Sequence, residues 1–460
     1  MKNLINQFYN AATVCCFVCA AFGADAQIVN IPDANFRNAL FNTLCVDTDN
    51  FNGGDASADR NNDGIIQASE ALYVTSLDVS SQNITDLTGI ERFTNIRRFY
   101  CSYNNLMNLN LQPLTRLTDL YCGNNPFTNL NLQYSTNLKV LNCTNSQLFT
   151  LNIQNLLNLD DVDCSVGRLS SINMQGSVNI TYLTCTDNQL VSLNLQDVPS
   201  MRALRCYNNK IESLNAQGLV SLTGLYLYNN KLVSLNVQGA SSLVYLDCNN
   251  NLLNSLNVQA LSNLKFLYCF DNKLTILNVQ GLTNLRDFTC GSNQLAYMNV
   301  QGLNQLSYFD CSYNPIACLS QLPNSLQILD IDSTNIICLP NQPSGLVNGT
   351  GAFLPLCQAG NTNNCYVATT NSAASANAAL RVSPNPMRDA TIFELTDAPA
   401  FGSANSATLL VYNTIGQAVR TVSFEGNKCT FVRDALPTGC YFYSVQSGAD
   451  VLNKGKLVIE

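Results

Sequence analysis

The chain has 460 residues, 23 basic and 31 acidic side chains for a net charge of −8, 46% apolar residues and no histidine. That length suits two or three domains, and the apolar share supports buried cores rather than wholesale disorder. The negative charge argues against nucleic acid as the main partner, and the lack of histidine excludes Ser-His-Asp and Cys-His catalysis and any histidine-ligated metal.

Residues 1–26 are expected to form a secretory signal. Lys2 gives a positive start, residues 11–22 are a short apolar run, and Ala24-Asp25-Ala26 supplies a small-x-small cleavage pattern before Gln27. A lipoprotein site is the alternative, since Cys15, Cys16 and Cys19 lie here, but Val14 and Val18 stand where a small residue is required. No later stretch approaches the ~20 apolar residues of a membrane-spanning helix.

Residues 27–72 read as an N-terminal cap. Asp33 is placed to cap a helix over 34–44. The run from Asp59 to Glu70 then resembles an EF-hand loop, with oxygen side chains at places 1, 3, 5 and 12, Gly64 at place 6 and Ile66 at place 8. The resemblance implies a structural Ca²⁺ held by Asp59, Asn61, Asp63, the Ile65 carbonyl, a water on Gln67 and bidentate Glu70.

From 73 to 340 the sequence copies itself. Cys101, Cys122, Cys143, Cys164, Cys185 and Cys206 stand 21 residues apart, Leu227 holds the next place, and Cys248, Cys269, Cys290 and Cys311 continue the series. An asparagine follows three residues later in most copies, from Asn104 and Asn125 to Asn293 and Asn314, with lapses at Ser146 and Gly167. A Leu-Asn-apolar-Gln phrase recurs at the same period, as at 193–196 and 235–238. The unit L-x-x-L-x-C-x-x-N-x-L resembles the leucine-rich repeat, with Cys at the third leucine position. The fold class expected is therefore mainly β: a leucine-rich repeat solenoid of about 13 coils of 21 residues, with a small helical N-terminal cap.

No coil of this kind hides its apolar side chains without neighbours above and below. Alternation around each Cys predicts a short parallel strand on the concave face, and the alternating Leu-Asn-apolar-Gln phrase predicts extended chain opposite. The recurrent asparagine is expected to satisfy backbone groups of its own turn and of an adjoining coil. A column of thiols invites a metal or disulfide reading. Yet no C-x-x-C pair occurs in it, and in-register strands hold neighbouring Cβ vectors parallel, so cysteine as a small apolar filler is the expectation.

Residues 341–368 close the solenoid. Cys318, Cys338, Cys357 and Cys365 break the 21-residue column, and an exported capping loop is where bridges form. Cys357–Cys365 and Cys318–Cys338 are the expected pairs, among the three pairings that four cysteines allow.

A low-complexity linker spans 369–380. Short alternating runs at 391–395, 407–412, 418–424, 430–432, 441–445 and 456–459 then predict a C-terminal β-sandwich. Ser383-Pro384-Asn385-Pro386, the turn at 412–416, Gly439-Cys440-Tyr441-Phe442-Tyr443 and Lys454-Gly455-Lys456-Leu457-Val458 together resemble the type A C-terminal sorting domain of the type IX secretion system of Bacteroidetes. The resemblance covers 381–460 and implies an address read by the secretion machinery, on a secreted or outer-surface protein. Cys429 and Cys440 are candidate cross-strand partners, which the family pattern does not require.

Outward positions around the Cys column collect aromatic side chains: Arg205 and Tyr207, Tyr226 and Tyr228, Tyr245 and Asp247, then Phe266, Tyr268 and Phe270, with Tyr308 and Asp310 further on. Arg98, Tyr100 and Tyr121 precede them. Tyr and Arg often carry binding energy at interfaces, so a non-enzymatic surface protein that binds an extracellular protein or glycan is the expected function. A spacer with no ligand is one alternative. A glycan-acting enzyme using Asp160, Asp161 and Asp163 is the other.

Overall fold

The structure is a computed structural model that describes residues 27–46, 56–357, 380–395, 406–413, 418–447 and 450–460. The signal at 1–26, Cys365 and the linker up to residue 379 fall outside these. The chain divides into two compact units, residues 1–368 and 369–460.

In the first unit the alternation about each Cys produces strands of three residues. Ser76–Asp78, Arg98–Tyr100, Asp119–Tyr121, Val140–Asn142, Asp161–Asp163, Tyr182–Thr184, Ala203–Arg205, Gly224–Tyr226, Tyr245–Asp247, Phe266–Tyr268, Asp287–Thr289, Tyr308–Asp310 and Ile328–Asp330 form one 13-stranded sheet. Neighbours pair in parallel, Leu204 with Leu225 and Leu225 with Leu246. The pairing of Ser76 with Arg98 and of Tyr308 with Ile328 makes the first step one residue longer and the last one shorter.

The middle residue of each strand points inward, and Leu204, Leu225, Leu246 and Leu267 have no exposed surface. The Leu-Asn-apolar-Gln phrase is extended on the other side of the coil, pairing as Thr150–Asn152 with Ser171–Asn173 and Ser213–Asn215 with Ser234–Asn236. Its asparagine accepts from the glutamine N–H two residues on, as Asn236 does from Gln238 at 3.1 Å. One apolar core runs from Val29 to Leu346. Truncating any of its leucines to alanine costs about 2–5 kcal/mol.

Two ladders run through that core. Asn251 donates to the carbonyls of Leu227 in the preceding coil and Cys248 in its own, both at 3.1 Å, and accepts from the Leu232 N–H at 3.0 Å. Asn209, Asn230, Asn272, Asn293 and Asn314 repeat the arrangement. The ten thiols of the Cys column are free and buried. Burial raises the Cys122 and Cys248 thiols well above their usual range, and Cys269 Sγ donates to the Thr289 carbonyl of the next coil at 3.3 Å.

Both ends of the solenoid are covered. Asp33 caps helix Ala34–Asn42 by accepting from the Asn35 and Phe36 N–H groups. The helix stops two residues before the expected end because Thr43 turns extended and donates from Oγ1 to the Ala39 carbonyl at 2.6 Å. The second Asp33 oxygen accepts from Thr85 and Asp86, tying the cap to the first coil.

At the far end residues 347–348 pair with the last strand, Leu329 N–H donating to the Asn348 carbonyl at 3.2 Å. Gly349 and Gly351 make this approach feasible. A Cβ at Gly349 would stand 2.2 Å from the Leu329 carbonyl oxygen, and one at Gly351 would stand 2.5 Å from the Leu329 side chain. The open sheet edge is thereby closed.

The disulfides differ from expectation. Cys338 bridges Cys357, which overturns both expected pairs. Leu339 pairs in parallel with Leu356, so the chain around 357 runs alongside 338–339 and the Cα atoms stand 4.9 Å apart. Cys318 is also disulfide-bonded.

The second unit is a pair of antiparallel sheets. Leu380–Ser383, Ala390–Leu395 and Lys428–Val432 form one; Ala418–Glu425, Ser406–Tyr412, Gly439–Ser447 and Asp450–Ile459 form the other. Phe393, Leu409, Phe431, Tyr443 and Leu457 meet in its core. Cys429 is free and buried, which corrects the expected bridge to Cys440. The two residues belong to different sheets and are not cross-strand neighbours.

Candidate binding face and cation loop

The outer side of the 13-stranded sheet is built from three columns: the first and third residue of each strand and the residue after each Cys. Register brings like positions of successive coils side by side, so aromatic side chains there stack along the solenoid. Tyr207 and Tyr228 lie 4.3 Å apart between centroids at 10°, and Tyr226 and Tyr245 lie 4.5 Å apart at 27°. Tyr245 continues to Phe266 at 5.8 Å and meets Tyr268 edge-on at 5.4 Å. The Arg205 guanidinium sits 5.0 Å above the Tyr226 ring.

Glycines clear the space for two of these rings. Tyr226 lies over Gly224, where a Cβ would stand 3.0 Å away, and Phe270 lies over Gly291 at 2.9 Å. All the rings named are half-buried, and Arg205 is exposed.

Not every expected residue joins this stretch. Tyr100 and Tyr121 form a separate stacked pair at 4.8 Å. The Tyr308 hydroxyl donates to Asp330 at 3.3 Å, and Asp310 accepts from Ser312. Asp247 is enclosed rather than outward, at 8% exposure. It lies in register between Tyr226 and Tyr268 on the flanking strands. Burial pushes its carboxyl up to about 6 despite the Asn249 N–H bond. Burial, joined by the Tyr207 hydroxyl and nearby carboxylates, pushes Tyr228 up to about 12.

The acidic group that suggests hydrolysis is engaged locally. Asp160 accepts from the Thr181 hydroxyl, and Asp163 accepts from the Ser165 N–H and Oγ. Burial raises Asp161, with Asp160 and Asp163 adding to it and Arg205 opposing.

In the N-terminal cap, Asp59 to Glu70 is wound so that carboxylates face inward. Asp59 accepts from the N–H groups of Asp63 and Gly64, Asn61 Oδ1 from Asp63, and Asp63 Oδ1 from Ile65. Glu70 accepts from Arg60, Asn61 and Gln67. Asp59 and Glu70 are 6% and 7% exposed. Arg60, the one cation in the loop, is stacked on Tyr73 at 3.6 Å, and among the described residues no ion pair engages these carboxylates. Asp63 Oδ2 accepts from the Asn61 and Gln67 amides at 2.9 and 2.7 Å, and among the described residues no group of three acidic side chains is gathered to hold a metal ion, so the buried Asp59 and Glu70 are what the loop offers a hard, oxygen-seeking cation. Such a cation would neutralise these carboxylates and tie the loop to helix Ala68–Tyr73, which carries Glu70.

Sequence reasoning missed an outer amide ladder. The residue before the ladder position has a positive φ, at Asn124, Asn145, Asn208, Asn229 and Asn250 among others. Asn229 Nδ2 donates to Asn208 and Asn250 Nδ2 to Asn229, each at 2.8 Å. The doubled asparagines were the signal, since asparagine tolerates the left-handed region. A cavity of about 480 Å³ on the side away from the concave sheet, lined by Asn131, Gln133, Asn152 and Gln154, was also missed.

In the second unit, motifs about seventy residues apart in sequence meet. Asn385 accepts from the Val458 N–H at 2.9 Å and donates to the Lys456 carbonyl at 2.8 Å. Gly455 pairs with Tyr443, whose hydroxyl a Cβ at Gly455 would meet at 2.5 Å.

Residues 381–460 match the family described as secretion system C-terminal sorting domain. No curated protein matches the chain. Among solved structures, the fold is similar to the functional domain of InlJ from Listeria monocytogenes, which includes a cysteine ladder, at 22% identity and TM-score 0.61 over 95% of this chain and 99% of that one. It is similar to an internalin, inlF, from the same organism at 22% identity and TM-score 0.53, covering 71% and 97%. YopM, a leucine-rich effector protein from Yersinia pestis, aligns at 26% identity and TM-score 0.51, covering 61% and 78%. The first unit is a leucine-rich-repeat-type solenoid. The sorting domain marks an exported protein, secreted or held at the cell surface. No described helix is long and apolar enough to cross a membrane.

Proposed function

We propose that this exported solenoid is a non-enzymatic, adhesin-like binding protein that engages an extracellular partner through the aromatic stretch from Arg205 to Phe270. The observation that carries the reading is the run of half-exposed rings stacked across successive coils beside Asp247 and Arg205. Such a patch on the outer side of an otherwise polar sheet is the usual mark of an interface.

The ring geometry favours protein over glycan. Sugar stacking requires a free ring face, and Tyr207, Tyr228, Tyr226 and Tyr245 each spend one face on a neighbouring ring, which leaves less for a sugar. In this reading the sorting domain serves the type IX secretion machinery, and a Ca²⁺ in the Asp59–Glu70 loop stiffens the N-terminal cap. The test is Tyr228→Ala with Tyr268→Ala in the full chain, assayed for binding to target-cell surfaces before and after protease treatment and on a glycan array. Protease-sensitive binding lost in the double variant is expected. A folded double variant that binds at full strength overturns the proposal, and strong, variant-sensitive array signals transfer it to glycans.

A further inference from the structure

We infer that a cavity at the N-terminal edge of the concave sheet binds a tetrahedral oxyanion, a phosphate or sulfate group. The cavity has a volume of about 310 Å³ and is lined by Arg97, Arg116, Thr118, Asn137, Lys139 and Asn158. Arg97, Thr118 and Lys139 immediately precede three successive strands, so the 21-residue period stacks them in one column.

Three cations therefore converge on one opening in a chain whose net charge is −8. All three are exposed, and among the described residues none of their side chains makes an ion pair or hydrogen bond. Two carboxylates of these coils and the next accept from hydroxyls and from none of the three cations: Asp119 from Thr118, itself in the lining, at 2.5 Å, and Asp160 from Thr181. Gathering like charges is unfavourable unless an anion stands among them.

The walls are fixed while the cations are free. Asn137 Nδ2 donates to the Thr115 carbonyl at 2.9 Å and Asn158 Nδ2 to the Thr136 carbonyl at 3.0 Å. The two guanidinium groups and the ammonium belong to three successive coils, so an ion among them meets donors from more than one coil. That suits an ion with acceptors pointing several ways better than a planar carboxylate, which one arginine satisfies side-on. The cavity has room for about ten waters, so the ion together with the group that carries it fits. The coils involved precede the aromatic stretch, and this site stands or falls independently of that face.

The test is calorimetric titration of the full chain at low ionic strength with inorganic phosphate, inorganic sulfate, glucose 6-phosphate and glucose 6-sulfate. Saturable, mutually competitive binding at one site is expected, weakened about tenfold by each of Arg97→Gln, Arg116→Gln and Lys139→Gln. Arg202→Gln, in the same column beyond the cavity, leaves it unchanged. Esters binding more tightly than bare ions identify a sugar-borne group; equal binding makes the ion itself the ligand. No saturable heat, survival of binding in the triple variant, or an equal loss in Arg202→Gln overturns the inference. Acylation of Lys139 in the unaltered protein gives a second readout that needs no variant. Phosphate must slow it more than chloride of equal ionic strength, and equal rates contradict the site.

Discussion

Asn230 Nδ2 donates to the Cys206 carbonyl of the preceding coil at 3.0 Å, while its Oδ1 accepts from Ile211 N–H, also at 3.0 Å. One side chain thus joins two coils at a place closed to water. Asn230→Ala leaves the Ile211 N–H unpartnered and removes one of the two asparagine donors from each of the Cys206 and Leu227 carbonyls, which keep Asn209 and Asn251, and a loss of about 1–3 kcal/mol is expected. Urea unfolding of the variant measures it. An unchanged midpoint would show that the ladder carries no stability.

Val166 occupies the position that asparagine or aspartate fills in most other coils, at φ 58° and 51% exposed. A β-branched residue is strained there. Val166→Asn is expected to stabilise the solenoid by about 1 kcal/mol and to raise the melting temperature. A fall would contradict the assignment of strain.

Asp247 titrates near 6 in the fold against a reference of 3.8. The fold favours the protonated form, so ionisation lowers stability progressively between pH 4 and pH 6 and fully above that. Asp247→Asn removes this penalty. Its stability is expected to match the parent at pH 4 and to exceed it at pH 8 by on the order of 3 kcal/mol, read as a higher melting temperature. A difference independent of pH would contradict the enclosed carboxyl.

Removal of divalent cations tests the N-terminal loop. If Asp59, Asn61, Asp63 and Glu70 hold Ca²⁺, chelation lowers the melting of the cap, and Glu70→Gln abolishes the response. Identical melts with calcium and with chelator would exclude the cation.

Much of the first unit was legible because its physics repeats. A 21-residue period fixes register, and register fixes both the thiol column and the ladder asparagines. The bridge from Cys338 to Cys357 was hidden because it depends on how the chain past the last full coil folds back beside Leu339, which no period dictates. Asp247 was read as outward from alternation alone, whereas the tyrosines beside it in register enclose it. The Arg97–Lys139 cavity was missed for a similar reason: its cations lie outside the Cys-flanking columns and meet only through stacking of successive coils.

The central claim is that successive coils share a dry interior of leucines and unbridged thiols. Thiol labelling followed by mass spectrometry tests it most directly, with the native protein treated first and denaturant added afterwards without reductant. The ten column cysteines are expected to resist the reagent in the fold and to react fully on unfolding. Labelling of the native column, or thiols that appear only after reduction, would contradict the account.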